Sequence, residues 1–249
     1  MKEMFISWLE DYDNESKLFL LSGLIVALAV ITILLRRRSI EEMQQRAMIQ
    51  KVLEQMLHAF AKTIDKKDEY TRGHSFRVAF YSEKLARKIG YSEVDARRVY
   101  HIALMHDIGK ILIPIEILNK PERLTDEEYE IIKSHPAIGE EILNEITSFP
   151  ELSLGAGYHH ECYDGSGYPH GAKGDEIPKI AQIIAVADTF DAMFSTRPYR
   201  KQMDLEDVLE EIKKNKGTQF NPEYAEAFIQ MVREEGLEAG ERKDDVQWW

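Results

Sequence analysis

A histidine and an aspartate, His106 and Asp107, stand together at the end of an apolar stretch that covers residues 99–105. Burying two such polar side chains is costly unless something compensates them, and a bound metal ion would do so with imidazole and carboxylate as ligands. Lys110 follows the histidine by four residues, where it could neutralise a phosphate beside that metal. This short segment therefore predicts a metal centre that handles a phosphate group.

Further candidate ligands are spread along the chain. Asp188 follows an apolar run, 183–187, that should be buried, so its carboxylate needs a cation, a metal or a proton. Alone, it could instead cap a helix or pair with an arginine, and isolated histidines such as His58 and His101 are more often structural or surface residues. Five histidines and two aspartates are enough for two metals bridged by a carboxylate: His74, His106, Asp107, His135, His159, His160 and Asp188.

Composition excludes several classes of function. The formal net charge of −12 over 249 residues argues against binding to a nucleic acid polymer, so local cations must hold an anionic substrate. The single cysteine, Cys162, excludes an intrachain disulfide and fits a reducing compartment. It stands beside His159 and His160 and could be a ligand, but packing is favoured because hard, oxygen-rich sites seldom recruit a lone thiol.

An uncharged apolar segment near the N-terminus predicts a membrane anchor. Residues 18–35 would span about 27 Å as a helix, close to the ~30 Å hydrocarbon core. Three arginines at 36–38 follow it and an acidic stretch precedes it, which places the C-terminal part in the cytoplasm of a single-pass inner-membrane protein. Residues 1–17 form a short extracytoplasmic N-terminus. A cleaved signal peptide fits poorly, since arginines replace the small-residue cleavage site.

The rest of the chain predicts an all-α fold. A helical connector, 36–54, belongs to a helix over 39–65 with an approximate apolar stripe, which either forms a homodimer or packs its second half on the domain. The domain itself covers 55–235, and a charged tail, 236–249, follows. No strand periodicity is present. The predicted helices of the domain cover 76–88, 92–105, 125–135, 136–144, 179–195, 205–214 and 222–233, with the longest loop at 161–176.

Residues 55–235 resemble the HD-GYP domain, a subgroup of the HD phosphohydrolase superfamily. The resemblance is carried by motifs in the order that the family has them: 70–75, 106–110, 113–121, 135–136, 159–169, 187–200 and 217–222. It implies a compact bundle of about seven helices around a metal cluster, and hydrolysis of the bacterial second messenger cyclic di-GMP to pGpG or GMP. The implied metal ligands are His74, His106, Asp107, His135, His159, His160 and Asp188.

The resemblance also implies individual roles. Asp107 would bridge the metals, Lys110 would stabilise the phosphate, and the substrate phosphates and guanine would meet Tyr168, Arg197 and Arg200. Some family members hold a third metal with a glutamate four residues before the first histidine. That position is Tyr70 here, and its phenol stays protonated at neutral pH. We therefore expect two metals.

The mixed imidazole and carboxylate set suits iron or manganese and does not exclude zinc. Two divalent ions about 3.5–4 Å apart can lower the pKa of a bridging water, which would attack the phosphorus in line with the departing 3′ oxygen. Two alternatives stay open at this point. One is a module that binds cyclic di-GMP with weak or no turnover, and the other is an HD hydrolase of another nucleotide.

Overall fold

The computed structural model describes residues 13–68, 72–195 and 203–235. In these residues all regular structure is helical, apart from an isolated bridge between Lys216 and Phe220, so the all-α prediction is confirmed. The α-helices are α1 (Asn14–Lys67), α2 (His74–Lys88), α3 (Glu93–Leu104), α4 (Ile115–Leu118), α5 (Asp126–Lys133), α6 (His135–Asn144), α7 (Glu151–Tyr158), α8 (Lys179–Phe194), α9 (Leu205–Lys214) and α10 (Pro222–Glu235). Two 3₁₀ helices cover Ile108–Leu112 and Gly174–Glu176.

The chain divides into two compact units, one up to Leu53 and one from Glu54 onward. The first unit is helical from Asn14 onward and contains the apolar segment. An 18-residue window of α1 has a mean hydropathy of 2.9, and by length and composition alone this helix could cross a membrane. The predicted span and connector belong to one helix of 54 residues. No glycine or proline interrupts 24–67, so nothing in the sequence ends the helix earlier.

The second unit has one hydrophobic core. Helix α2 packs against α3 and α8, and α10 covers α2. Phe190 lies at its centre, with ring centroids 5.0 Å from Tyr81 and 5.1 Å from Phe228. The last turns of α1 join this core through Leu57, Ala61 and Ile64, so the packing alternative is confirmed for that stretch.

Two predicted helix starts are confirmed in detail. Ser92 caps α3 by accepting the backbone N–H of Asp95, and Thr125 forms a capping box with Glu128 at the start of α5. The described residues contain nine α-helices after α1. Seven of these nine helices were predicted from the sequence. The two that were not predicted are short: α4 has four residues and α7 has eight.

Helix α7 was missed because two of its eight residues are glycines, which are poor helix formers. A Cβ at Gly155 would lie 2.2 Å from Cγ2 of Ile102, so a glycine is required where α7 crosses α3. Tertiary packing therefore overrides helix propensity here. The consequence for the site is direct, since α7 ends at Tyr158 and presents His159 and His160 at its C-terminal end.

Candidate metal centre

The turn between α3 and the first 3₁₀ helix carries His106 and Asp107, which are only 1% and 3% exposed. Gly109 fixes where this turn lies. A Cβ at that residue would stand 1.9 Å from the carbonyl oxygen of His135, so only glycine lets the 3₁₀ helix approach the start of α6 so closely. This close approach brings the His135 side chain to Asp107, with 3.2 Å between its Nε2 and Oδ1 of the aspartate.

All seven predicted metal ligands lie together in one cluster, in which His160 and Asp188 are half-buried and the other five are buried. Their ligand atoms form three overlapping groups of three, and the atoms within each group lie within 4.8 Å of one another. These groups are His74, His106 and Asp188; His135, His159 and His160; and His106, Asp107 and His159. Helices α2, α6 and α8 and the segments that follow α3 and α7 thus supply one constellation.

The two carboxylate oxygens of Asp107 face different groups of histidines. Oδ2 lies 3.4 Å from Nε2 of His106 and 3.8 Å from Nε2 of His74. Oδ1 lies 3.2 Å from Nε2 of His135 and 3.9 Å from Nε2 of His159. This is the arrangement that a carboxylate shared by two metal ions requires.

The imidazoles are oriented as metal ligands would be. Nδ1 of His106, His135 and His159 lies 2.7–2.8 Å from a backbone carbonyl three residues earlier and must donate its proton there. The acceptors are the carbonyl oxygens of Ala103, Ile132 and Ala156. In the neutral imidazole this fixes the tautomer, with the proton on Nδ1 and the lone pair of Nε2 directed at the cluster, as in protein metal sites. The donor set therefore fits divalent metal ions.

His74 is oriented by a residue that sequence reasoning missed. Its Nδ1 lies 2.8 Å from Oδ2 of the buried Asp191, which also forms a bidentate ion pair with Arg77 at 2.6 and 3.0 Å. Asp191 follows Asp188 by one helical turn, and Arg77 likewise follows His74. A search for charged residues one turn from each ligand would have found both.

Charge is distributed unevenly over the cluster. Burial lowers the pKa of His74, but its hydrogen bonds to Asp188 and Asp191 outweigh burial and raise the pKa to about 10. Burial, reinforced by the charge of His135, lowers the pKa of His160 to about 3. Burial likewise holds the pKa of His159 well below its usual range. The His159 and His160 side is therefore neutral, as ligation demands.

Lys110 lies beside the cluster with its side chain only 15% exposed. Its Nζ is 2.8 Å from Oδ2 of Asp107 and 3.2 Å from Oδ2 of Asp68, a second carboxylate that the sequence did not indicate. Burial alone would lower the pKa of Lys110, but these two carboxylates raise it above its usual range. Lys110 is therefore a charged ammonium at the edge of the cluster.

The glycine-rich loop that follows α7 places Tyr168 against the cluster. The Tyr168 ring stacks on His160 with centroids 4.9 Å apart, and Nζ of Lys133 lies 5.3 Å from the same ring. The loop is held by Glu161, whose Oε1 accepts the backbone N–H groups of His170 and Gly171. The metal-capable groups of the described residues do not include Cys162, which is half-buried.

Three residues singled out from the sequence lie outside the described residues: Tyr70, Arg197 and Arg200. Their predicted roles stay predictions.

Two histidines outside the cluster, His58 and His170, take structural positions. His58 packs edge-on against Phe76, with ring centroids 5.2 Å apart, and its Nε2 lies 3.3 Å from the hydroxyl of Tyr100. His170 pairs with Glu140 at 2.9 Å. Neither belongs to a metal-capable group among the described residues.

The fold and the His–Asp cluster define a metal-site helical domain, and comparison with known proteins identifies its family. The HD domain family matches residues 52–224, and the chain belongs to that family. It is 47% identical over 171 residues to a cyclic di-GMP phosphodiesterase of Thermotoga maritima, covering 68% of this chain and 46% of that protein. It is 42% identical over 171 residues to a 3′3′-cGAMP-specific phosphodiesterase of Vibrio cholerae, covering 69% and 37%. The chain thus spans less than half the length of these relatives.

Solved structures give the same fold. A cyclic GMP-AMP specific phosphodiesterase of V. cholerae aligns with a TM-score of 0.55 over 72% of this chain and 48% of that one, at 18% identity. An HDG"Y"P protein from Bdellovibrio bacteriovorus aligns with a TM-score of 0.54, over 64% and 51%, also at 18% identity. At this identity the likeness concerns the fold alone. With the sequence relatives, it confirms the resemblance drawn from the motifs.

Proposed function

We propose that this chain is a metal-dependent phosphodiesterase that hydrolyses cyclic di-GMP to pGpG, GMP or both. The observation that carries the proposal is Asp107, whose two oxygens face two groups of histidines while Lys110 lies 2.8 Å from one of them. The 47% identical Thermotoga relative, named for this activity, supports the substrate.

Two divalent ions, iron or manganese with zinc as a further option, would be held in the cluster with Asp107 as the shared ligand. His74, His106 and Asp188 would complete one position, and His135, His159 and His160 the other. When bound, such ions supply a nucleophile by lowering the pKa of water, and they polarise phosphoryl oxygens.

The chain's own residues perform the remaining tasks. Lys110 is aimed at the phosphate and offsets the negative charge that develops on the phosphoryl oxygens as the 3′ oxygen departs. Its low exposure makes this interaction stronger than a surface contact would be. Tyr168 meets the substrate from the loop side, and Arg197 and Arg200 bind its phosphates. Because the chain carries a net charge of −12, these local cations are what attracts a dianionic dinucleotide.

A second substrate, 3′3′-cGAMP, is favoured by one specific observation. The V. cholerae relative named as specific for that dinucleotide is 42% identical over 171 residues, nearly as similar as the Thermotoga relative. Both dinucleotides present the same pair of bridging phosphates to Lys110. Discrimination between them therefore rests on contacts to one base.

The experiment is product analysis by chromatography after purified protein, loaded with iron or manganese, is incubated with each dinucleotide. We expect linear dinucleotide or mononucleotide products, with a higher kcat/KM for cyclic di-GMP than for 3′3′-cGAMP. A higher kcat/KM for 3′3′-cGAMP than for cyclic di-GMP would instead identify 3′3′-cGAMP as the preferred substrate. Tight binding of intact cyclic di-GMP, with no products, would instead establish a binding module and refute the enzymatic proposal.

We also propose that residues 18–35 anchor the chain in the cytoplasmic membrane, with the domain of residues 55–235 in the cytoplasm and the connector, 36–54, forming a homodimer. The high hydropathy of α1 and the three arginines at 36–38 support the anchor and its orientation. Carbonate extraction of membranes tests the anchor, and cysteine cross-linking along 40–52 tests the dimer. Release of the full chain by carbonate would contradict the anchor.

A further inference from the structure

The end of α1 lies against the 3₁₀ helix that carries Lys110. Lys67, the last residue of α1, donates three hydrogen bonds from Nζ to backbone carbonyls of this segment. The acceptors are Lys110 at 3.0 Å, Ile111 at 2.6 Å and Ile113 at 2.6 Å. An ammonium has three donors, so the Lys67 side chain is fully engaged by this one turn.

Carbonyls at the C-terminal end of a helix lack partners within the helix and carry partial negative charge. The Lys110 carbonyl also accepts the Ile113 N–H at 3.1 Å, and the Lys67 ammonium stabilises the partial negative charge of all three carbonyls. Lys67 itself is held in place, since Nδ2 of Asn119 donates to its backbone carbonyl at 2.8 Å. The 3₁₀ helix is therefore tied to the end of α1 by its backbone.

The neighbouring residue, Asp68, holds Lys110 by its side chain. Asp68 is 4% exposed, and its Oδ2 lies 3.2 Å from Nζ of Lys110. Divalent cations in the proposed centre would repel the Lys110 ammonium, and a second buried carboxylate counters that repulsion. Lys67 fixes the backbone of Lys110, and Asp68 fixes its charged end.

We infer that Lys67, acting with Asp68, is a positioning residue that aims Lys110 at the substrate phosphate. The inference rests on the proposed function of the metal centre. Lys67 contacts the turn that carries Lys110, so its effect on the reaction passes through Lys110. A displacement of about 1 Å in a catalytic group can cost up to a hundredfold in rate, so the contribution of Lys67 is measurable.

A double-mutant cycle on kcat tests this route in the full-length protein. Lys67→Met should lower kcat about tenfold or more when Lys110 is present, with a smaller change in KM. In the Lys110→Ala background the same substitution should change kcat by less than about twofold, because the group it positions is gone. Equal effects in both backgrounds would show a general structural role and overturn the inference.

Two variants provide the controls. Lys67→Arg keeps a charged multiple donor and should retain most of kcat, whereas Lys66→Met removes an exposed neighbouring lysine and should change nothing. Metal content and melting temperature are measured for each variant. Loss of kcat in Lys66→Met equal to that in Lys67→Met would contradict the inference.

Amide hydrogen exchange separates this inference from the choice of substrate. Lys67→Met should speed exchange across residues 108–113, and Lys66→Met should not, whether or not cyclic di-GMP is hydrolysed. If the wild type hydrolyses neither dinucleotide, bis(p-nitrophenyl) phosphate is used as the substrate in the double-mutant cycle. The proposed function then fails, while the positioning role of Lys67 is still tested. Unchanged exchange in Lys67→Met would overturn the positioning role.

Discussion

Replacement of Asp107 by asparagine removes the proposed bridge without changing its volume. The carboxylate presents one oxygen to His135 and His159 and the other to His74 and His106. An amide has a single oxygen, and its NH₂ group is a donor that faces the other pair of Nε2 atoms. At least one metal position therefore loses a ligand, and we expect Asp107→Asn to bind well under two metals per chain.

The metal-free protein should be destabilised as well. Burial alone would raise the pKa of Asp107, but the charges of Lys110 and His106 hold it well below its usual range. Removing one partner of a buried ion pair costs about 3–5 kcal/mol. Because Asp68 still pairs with Lys110, we take the lower end, about 3 kcal/mol. For a domain of this size that lowers Tm by about 6–12 °C.

Metal analysis of the loaded protein and calorimetry of the chelated protein measure the two effects separately. Asp107→Ala should lose metal to the same extent and stability further, since it also leaves a cavity. Retention of two metals and of wild-type turnover by Asp107→Asn would refute the bridging role. Loss of stability with full metal content would assign Asp107 a purely structural role.

Three further variants test other parts of the site. Lys110→Ala should leave metal content intact and slow hydrolysis about 10²–10³-fold, and a loss below about threefold at saturating substrate would indicate a structural ion pair. Gly109→Ala should disrupt metal binding, because its Cβ forces the turn and His135 apart by about 1.5 Å; normal metal content would contradict the packing argument. Alanine at both Arg197 and Arg200 should weaken cyclic di-GMP binding and flatten its salt dependence, and unchanged calorimetric affinity at low salt would place the ligand elsewhere.

Local signals predicted much of the fold. Ser92 and Thr125 precede apolar periodicity with an acid three residues later, and both cap the helices expected of them. The start of α9 at Leu205 and its end at Lys214 agree with the periodicity. Such features depend on neighbours within one or two turns, so the sequence displays them. Helix α7 was missed because one of its glycines, Gly155, satisfies a contact with Ile102, about fifty residues away in the chain.

The same distinction applies to the site. The candidate ligands were proposed because histidine and aspartate beside apolar runs are unusual, and the structure brings all seven together. Lys67 and Asp68 were missed, since charged residues are common in this chain and only long-range contacts reveal their partners. Asp191, one turn after Asp188, could have been found from the sequence. Lys67 and Lys110 are 43 residues apart, and no periodicity links them.

A metal titration tests the proposed two-metal phosphodiesterase centre most directly. Chelated protein is supplied with increasing manganese or anaerobic iron, and hydrolysis of cyclic di-GMP is followed by chromatography. We predict no products without metal and a rate that saturates at two equivalents per chain. Products formed by the metal-free protein, saturation at one or three equivalents, or intact dinucleotide at full metal loading would contradict the account.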